Sequence, residues 1–302
     1  MSYEDKVFYN EASAAKLGWE LSWFCAEEYD EVFFENVKSF QRDHGLKADG
    51  LVGPITFRRM FTEREAKFEL TMGTLKDNLG SQNYIVSAGS RVPIEWEKVV
   101  SLRDEGALAL PPACYKRVLG GERKPHMIVT HWDAALSAKS CKTILEKRNI
   151  SSHFVIDNDG TIYQMVDTND IAWHAGKNNK VSIGIDFSNA YYTKYQKYYR
   201  KKGFGNRPVL NSKVHGAKLG DHLGYYPVQE AAYKALLKTL CAHYKIPLEC
   251  PLDEGGKLLS VVSKEAESGK FRGVVSHYHI SRKKIDCAGL EIDRLLNEVK
   301  TN

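Results

Sequence analysis

The sequence predicts an α/β domain, a mixed central β-sheet flanked by helices, preceded by a small all-α domain of three helices. Three observations carry this. After Pro125, short apolar runs of strand type alternate with segments of helical type. In the first 62 residues the apolar positions fall at three-to-four spacing instead. The chain of 302 residues exceeds the usual size of a single domain, and with 43% hydrophobic residues it can bury a real core.

In chain order, Glu11 to Leu21 is expected to form a first helix and Phe33 to His44 a second, with Phe33, Val37, Phe40 and Gln41 near one face. In the following GLKADGLVGPITFRRMF, Gly45 can stop the helix, Asp49-Gly50 makes a turn, and Pro54 opens a third helix that packs Phe57 and Met60 inward. The composition then turns charged and irregular, and residues 63–81 read as a linker between a domain at 1–62 and one at 82–302. Tyr84 to Val86 and Arg91 to Ile94 read as short strands at the edge of the second domain.

Met127 to Val129 is a buried strand, Ala138 to Lys147 a helix, and His153 to Ile156 a strand. Asp157 to Gly160 turns the chain into Thr161 to Gln164, and Val181 to Phe187 is a further strand. A long helix from Val228 to Tyr244 carries Ala232, Leu236, Leu240 and His243 along one face. Between these, Ala190 to Tyr226 reads as an irregular insertion, with YYTKYQKYYRKKGFGNRP interleaving aromatic and basic residues. Such a stretch can be a solvated loop, meet sugar rings and carboxylates, or stack on a nucleic acid strand, in that order of preference.

A net charge of +5 and a pI near 8.7 are compatible with polyanionic surroundings without choosing among them. No run of about 18 apolar residues occurs, so no membrane span is expected, and the polar MSYEDKVFYN start does not read as a signal peptide. The six cysteines lack CxxC pairs, which argues against a disulfide framework or a cysteine-rich zinc knuckle.

The chemistry concentrates in GVVSHYHISRKKIDCAG, from Gly273 to Gly289. A short apolar run delivers His277, and nine or ten residues later the chain offers Asp286 and Cys287, so that a returning loop can set two ligands on one metal ion. Catalytic zinc takes three protein ligands and keeps one position open. His131, which follows the strand Met127 to Val129 as His277 follows Val274-Val275, is a candidate for the third, although a single histidine at a strand end is more often structural. His279 is a poor ligand candidate because the chain is turning there, and His153 reads as structural.

Two regions resemble known families. Val37, Phe40, Gln41, Gly45, Leu46, Asp49, Gly50, Val52, Gly53, Pro54 and Thr56 match, in fixed order, the peptidoglycan-binding helical repeat of wall hydrolases. IVTHWDA at 128–134, SSHFVIDNDGTIYQMV at 151–166, AWHAG at 172–176, SIGIDFSN at 182–189 and VVSHYHISRKKID at 274–286 resemble the zinc-dependent N-acetylmuramoyl-L-alanine amidases, a family that includes phage lytic enzymes.

The resemblance implies a Zn2+ cofactor held by His131, His277 and a third ligand. Asp286 keeps the family's spacing from Lys284; Cys287 is the alternative. It implies Asp186, where glutamate is common, as proton acceptor and Lys284 as oxyanion stabiliser. Trp173 and His174 are expected to contact substrate at the rim, and Phe40, Gln41 and Asp49 to meet the wall. Together these imply a peptidoglycan hydrolase of the phage endolysin type, made in the host cytoplasm without a leader and acting on the wall after membrane breach. A non-catalytic peptidoglycan-binding protein and an enzyme recycling muropeptides are the alternatives. Bacterial peptidoglycan is the expected partner, nucleic acid is disfavoured, and a monomer is favoured.

Overall fold

The computed structural model describes residues 1–60, 83–118 and 121–301, and the expected linker at 63–81 lies outside the described residues. The chain divides into two compact units, Met1–Gly80 with Val118–Arg123, and Ser81–Arg117 with Lys124–Asn302.

The first unit is helical. Helix α1 (Tyr3–Leu17) begins eight residues earlier than the apolar spacing indicates, because Ser2 and Asp5 form a reciprocal capping box: Asp5 N donates to Ser2 Oγ at 3.1 Å and Ser2 N to Asp5 Oδ2 at 3.0 Å. It ends where Gly18 adopts a left-handed conformation, φ 74°, and returns its N–H to Ala14 O. A 3-10 turn, Leu21–Phe24, leads to α2 (Glu31–Asp43), whose N-cap Asp30 accepts from Phe33 N at 2.8 Å. Residues 54–60 form α3, with Pro54 at its first position. Trp19, Trp23, Phe24, Phe33, Phe34, Val37, Val52 and Met60 fill the core. The early start of α1 matters because buried Asn10 ties it to the 50–52 loop, donating to Gly50 O and accepting from Val52 N.

The second unit opens with a hairpin of β1 (Tyr84–Ser87) and β2 (Ser90–Pro93), then β3 (Val99–Val100) and β4 (Tyr115–Lys116). Strand β5 (Met127–Trp132) runs into α4 (Ala138–Lys147), followed by β6 (Phe154–Ile156), β7 (Ile162–Gln164) and β8 (Ile171–Ala172), which pairs with β4. Strand β9 (Ser182–Phe187) is buried at every residue. After it come α5 (Gln196–Lys201) and four two-residue strands: β10 (Val209–Leu210), β11 (Lys213–Val214), β12 (Ala217–Lys218) and β13 (His222–Leu223). Helix α6 (Pro227–Tyr244), the short α7 (Lys264–Glu267), β14 (Gly273–Ser276), the single turn α8 (His277–Ile280) and α9 (Ile292–Thr301) complete the chain.

The central sheet has six strands in the order β14-β5-β9-β6-β7-β3 and is parallel throughout except at β6 and β7, which the Asp157 to Gly160 turn joins as a hairpin. Its α/β class is the one the alternation predicts. On one face, Ile128, Ile183, Ile185, Phe187 and Val274 pack with Ala232, Tyr233, Leu236, Leu237 and Leu240 of α6 and with Leu295 and Leu296 of α9. Each such aliphatic side chain, fully buried, contributes roughly 1.5–3 kcal/mol. His243 departs from the expected face: it is exposed and bonded to Ser87 Oγ.

The insertion is organised by one residue. The Arg207 guanidinium, 2% exposed, lies between the rings of Tyr199 and Tyr226, 4.5 and 4.4 Å from their centroids. It donates to Ser188 O, Gly224 O, Asn158 Oδ1 and Gln229 Oε1, so the stretch from Ala190 to Tyr226 is pinned to the ends of β6 and β9 rather than loosely solvated. A charge buried this deeply requires such partners.

Among the described residues, no helix is long and apolar enough to cross a membrane.

Candidate active site

Parallel register builds the site. Strand β14 pairs with β5 so that Ser276 faces Thr130, and one step further each chain delivers a histidine, His277 at the start of α8 and His131 on β5. On its other side β5 pairs His131 with Asp186 of β9. Three functional side chains therefore stand in a row at the carboxyl ends of adjacent parallel strands, the usual address of sites in open α/β sheets. The 146 residues between the two histidines in sequence become one strand spacing.

The loop after α8 brings Asp286 back to the pair. His131 Nδ1 and His277 Nδ1 are 2.9 Å apart, and Asp286 Oδ2 lies 3.2 Å from the first and 2.9 Å from the second. All three residues are buried, and their ligand atoms could hold a metal ion. A tetrahedral ion with bonds near 2.0–2.1 Å needs ligand atoms about 3.3 Å apart, close to this triangle, and two imidazoles with one carboxylate form a common donor set.

Burial pushes the His277 imidazole down to about 4, with His131 adding to the effect and Lys284 lowering it further. Burial alone would raise Asp286, but the adjoining imidazoles of His131 and His277 overcome it and hold the carboxyl well below its usual range. A neutral imidazole and an ionised carboxylate are the forms that bind metal.

Asp286 joins the triangle, whereas its neighbour Cys287 does not. Cys287 is fully buried in the hydrophobic cluster beneath α6 and α9, and burial raises its thiol well above the ordinary value. A thiol held protonated in apolar surroundings is a poor ligand, and the geometry favours Asp286 at this corner. Asp186 is buried beside His131, and burial raises its carboxyl, opposed by His131. Lys284 sits exposed on the loop.

Asp133, two residues beyond His131, was legible only as part of a motif. Its carboxylate accepts from Ala135 N, Asn189 N and Ser188 Oγ, binding the loop after β5 to the loop after β9. Burial, then the charge of Asp186, pushes it up to about 8.

The remaining histidines separate cleanly. His153 accepts from Gly184 N at 2.9 Å and bonds Asp170 O; His279 accepts from Ser276 N at 3.0 Å and donates to Leu259 O. Both brace the backbone. Trp173 is exposed. His174 instead turns its imidazole inward, with Nδ1 3.0 Å from His131 Nε2. In the first unit, Phe40 is half-buried against Phe24 and His44, and Asp49 is half-buried on the 49–51 loop. Gln41 is 1% exposed, its amide donates to Asp49 Oδ1, Leu51 O and Thr56 Oγ1, and its oxygen accepts from Gly50 N. A side chain so enclosed holds its own loop in place.

Fold and site together define an α/β domain with a buried His-His-Asp cluster, able to hold a metal ion, at the carboxyl ends of its parallel strands. The N-acetylmuramoyl-L-alanine amidase family model matches residues 121–288, more than half of the chain, and the chain belongs to that family. A peptidoglycan-binding domain model matches residues 27–60. Solved structures that resemble the chain include the N-acetylmuramyl-L-alanine amidase AmiD from E. coli, in complex with anhydro-N-acetylmuramic acid-L-Ala-D-gamma-Glu-L-Lys, at 21% identity over 61% of this chain and 61% of that chain, TM-score 0.39. The endolysin LysCS from Clostridium intestinale URNW is 19% identical over 59% of this chain and 84% of that chain, TM-score 0.37. AmpDh3 from Pseudomonas aeruginosa, in complex with anhydromuramic pentapeptide, is 19% identical over 64% and 66%, TM-score 0.39. The chain thus spans about three fifths of the AmiD chain. No curated protein sequence matches it.

Proposed function

We propose that the chain is a zinc-dependent peptidoglycan hydrolase that cleaves the amide bond between the lactyl group of N-acetylmuramic acid and L-alanine of the stem peptide. The observation that carries this is the triangle of His131, His277 and Asp286 beside Asp186 in a chain of the amidase family. These three residues would hold the ion, which supplies Lewis acidity when bound, polarising the scissile carbonyl and acidifying the attacking water to near pH 7.

The chain's own groups do the rest. Asp186, raised by burial, accepts the proton of the attacking water and returns it to the leaving amine. Its short side chain makes this reach the demanding part of the arrangement. Lys284 brings positive charge to the developing oxyanion, and Trp173 offers an exposed indole to the substrate. The first unit anchors the chain to peptidoglycan through the surface around Phe40 and Asp49. We place the protein among endolysins, made in the host cytoplasm and acting at the wall once the membrane is breached.

The test is zinc content together with release of free stem peptide from purified sacculi. His131→Ala and His277→Ala should lose both while still binding sacculi, and a chelator should silence the native chain. A zinc-free protein that binds sacculi without cutting them would sink the enzyme reading. Activity on soluble anhydro-muropeptides but not on intact wall would make it a recycling enzyme instead.

A further inference from the structure

A neutral imidazole carries one proton, so a ligand histidine is set in the right tautomer by whatever its other nitrogen bonds to. His131 directs Nδ1 at His277 and Asp286, and its Nε2 lies 3.0 Å from His174 Nδ1. Which of these two nitrogens carries the proton is decided further back. The carbonyl of Asn178 can only accept, and the Ser182 hydroxyl donates to it at 2.7 Å. The Ser182 oxygen then accepts from His174 Nε2–H at 3.3 Å. His174 Nδ1 is left as a lone pair, which accepts the Nε2–H of His131. That leaves the His131 Nδ1 lone pair facing the triangle.

The ring of His174 is itself held. Asn179 Oδ1 accepts from the backbone N–H groups of His174 and Ala175, at 3.1 and 2.7 Å, fixing the backbone that carries it. The neighbouring strand makes room for it with a glycine: a Cβ on Gly184 would lie 2.8 Å from both Cγ and Nδ1 of His174. Any side chain there would push the ring off its bond to His131.

We propose that His174 is a positioning residue for the metal centre: by accepting the Nε2–H of His131 it fixes that imidazole's tautomer and orientation, with Ser182 and the Asn178 carbonyl setting the direction of the chain. This rests on the metal reading above and replaces the expectation that His174 touches substrate.

The experiment is a zinc titration of the full-length, chelator-stripped chain against a competing chromophoric chelator, with two complementary variants. His174→Phe keeps a ring in the space and has no acceptor; His174→Asn keeps an acceptor at the Nδ1 position and loses the ring. The expected result is a loss of zinc affinity of about ten- to a hundredfold for His174→Phe, with His174→Asn close to the native value. Thermal melts of the metal-free variants read whether each is folded. A His174→Phe chain that binds zinc as tightly as the native one overturns the proposal, as does an equal loss in both variants, which marks packing rather than a hydrogen bond. Failure of the native chain to take up zinc is a separate result: it removes the metal reading itself and this inference with it.

Discussion

Gln41 in the helical unit and the His131–His277–Asp286 triangle in the α/β unit are both buried polar nodes, and the two are built in opposite ways. In the helical unit, Gln41 closes on itself: its amide and oxygen are consumed by Asp49, Leu51, Thr56 and Gly50. In the α/β unit, His131, His277 and Asp286 converge on one another at 2.9–3.2 Å, two ring nitrogens and a carboxylate oxygen facing a common point. The first arrangement is complete without a ligand. The second brings like acceptors together, which only a proton or a cation can reconcile. Burial of a polar side chain is therefore no mark of a site, whereas convergence of lone pairs is.

The strongest way to break the comparison lies at the paired residues of the returning loop. Asp286→Ala removes one corner of the triangle and should cut zinc affinity by more than about a hundredfold, while Cys287→Ala should leave it unchanged and cost about 1 kcal/mol of stability from lost packing. Zinc titration of the two variants decides. Equal losses would dissolve the distinction between the corner and the core.

Acid sharpens the comparison from another side. Burial lowers the His279 imidazole, whose Nδ1 accepts from Ser276 N, from 6.5 to about 4. Between those values the unfolded chain binds a proton that the folded chain refuses, so this contribution is complete above pH 6.5 and is lost as pH falls towards 4. The loss is on the order of 3 kcal/mol. Urea midpoints of the metal-free chain from pH 7 to pH 4 should fall accordingly, and a flat profile would contradict the assignment.

The most local expected effect belongs to the closed node. Gln41→Leu strands the Gly50 N–H and should weaken the first unit by about 1–3 kcal/mol. Faster amide hydrogen exchange across residues 41–56, with zinc affinity unchanged, is the expected outcome. A change in zinc affinity would mean that the two nodes are not independent.

The sequence by itself determined the α/β class, the strand that ends at each histidine and the three helices of the first unit, because alternation, apolar spacing and caps are local properties of the chain. It did not show that α1 starts at Tyr3, since the Ser2–Asp5 capping box outweighs an apolar pattern that is weak in this stretch. It preferred Asp286 over the adjacent Cys287 only on spacing from Lys284. Only the tertiary structure turned one into the triangle and the other into the core. His174 shows the same limit: the AWHAG segment reads as a rim, and nothing local reveals that parallel pairing of β5 with β9, and the missing side chain of Gly184, bring its ring against His131. Local patterns specify elements, but which atoms of a side chain meet which partner is fixed by strand register and close packing across residues far apart in the chain.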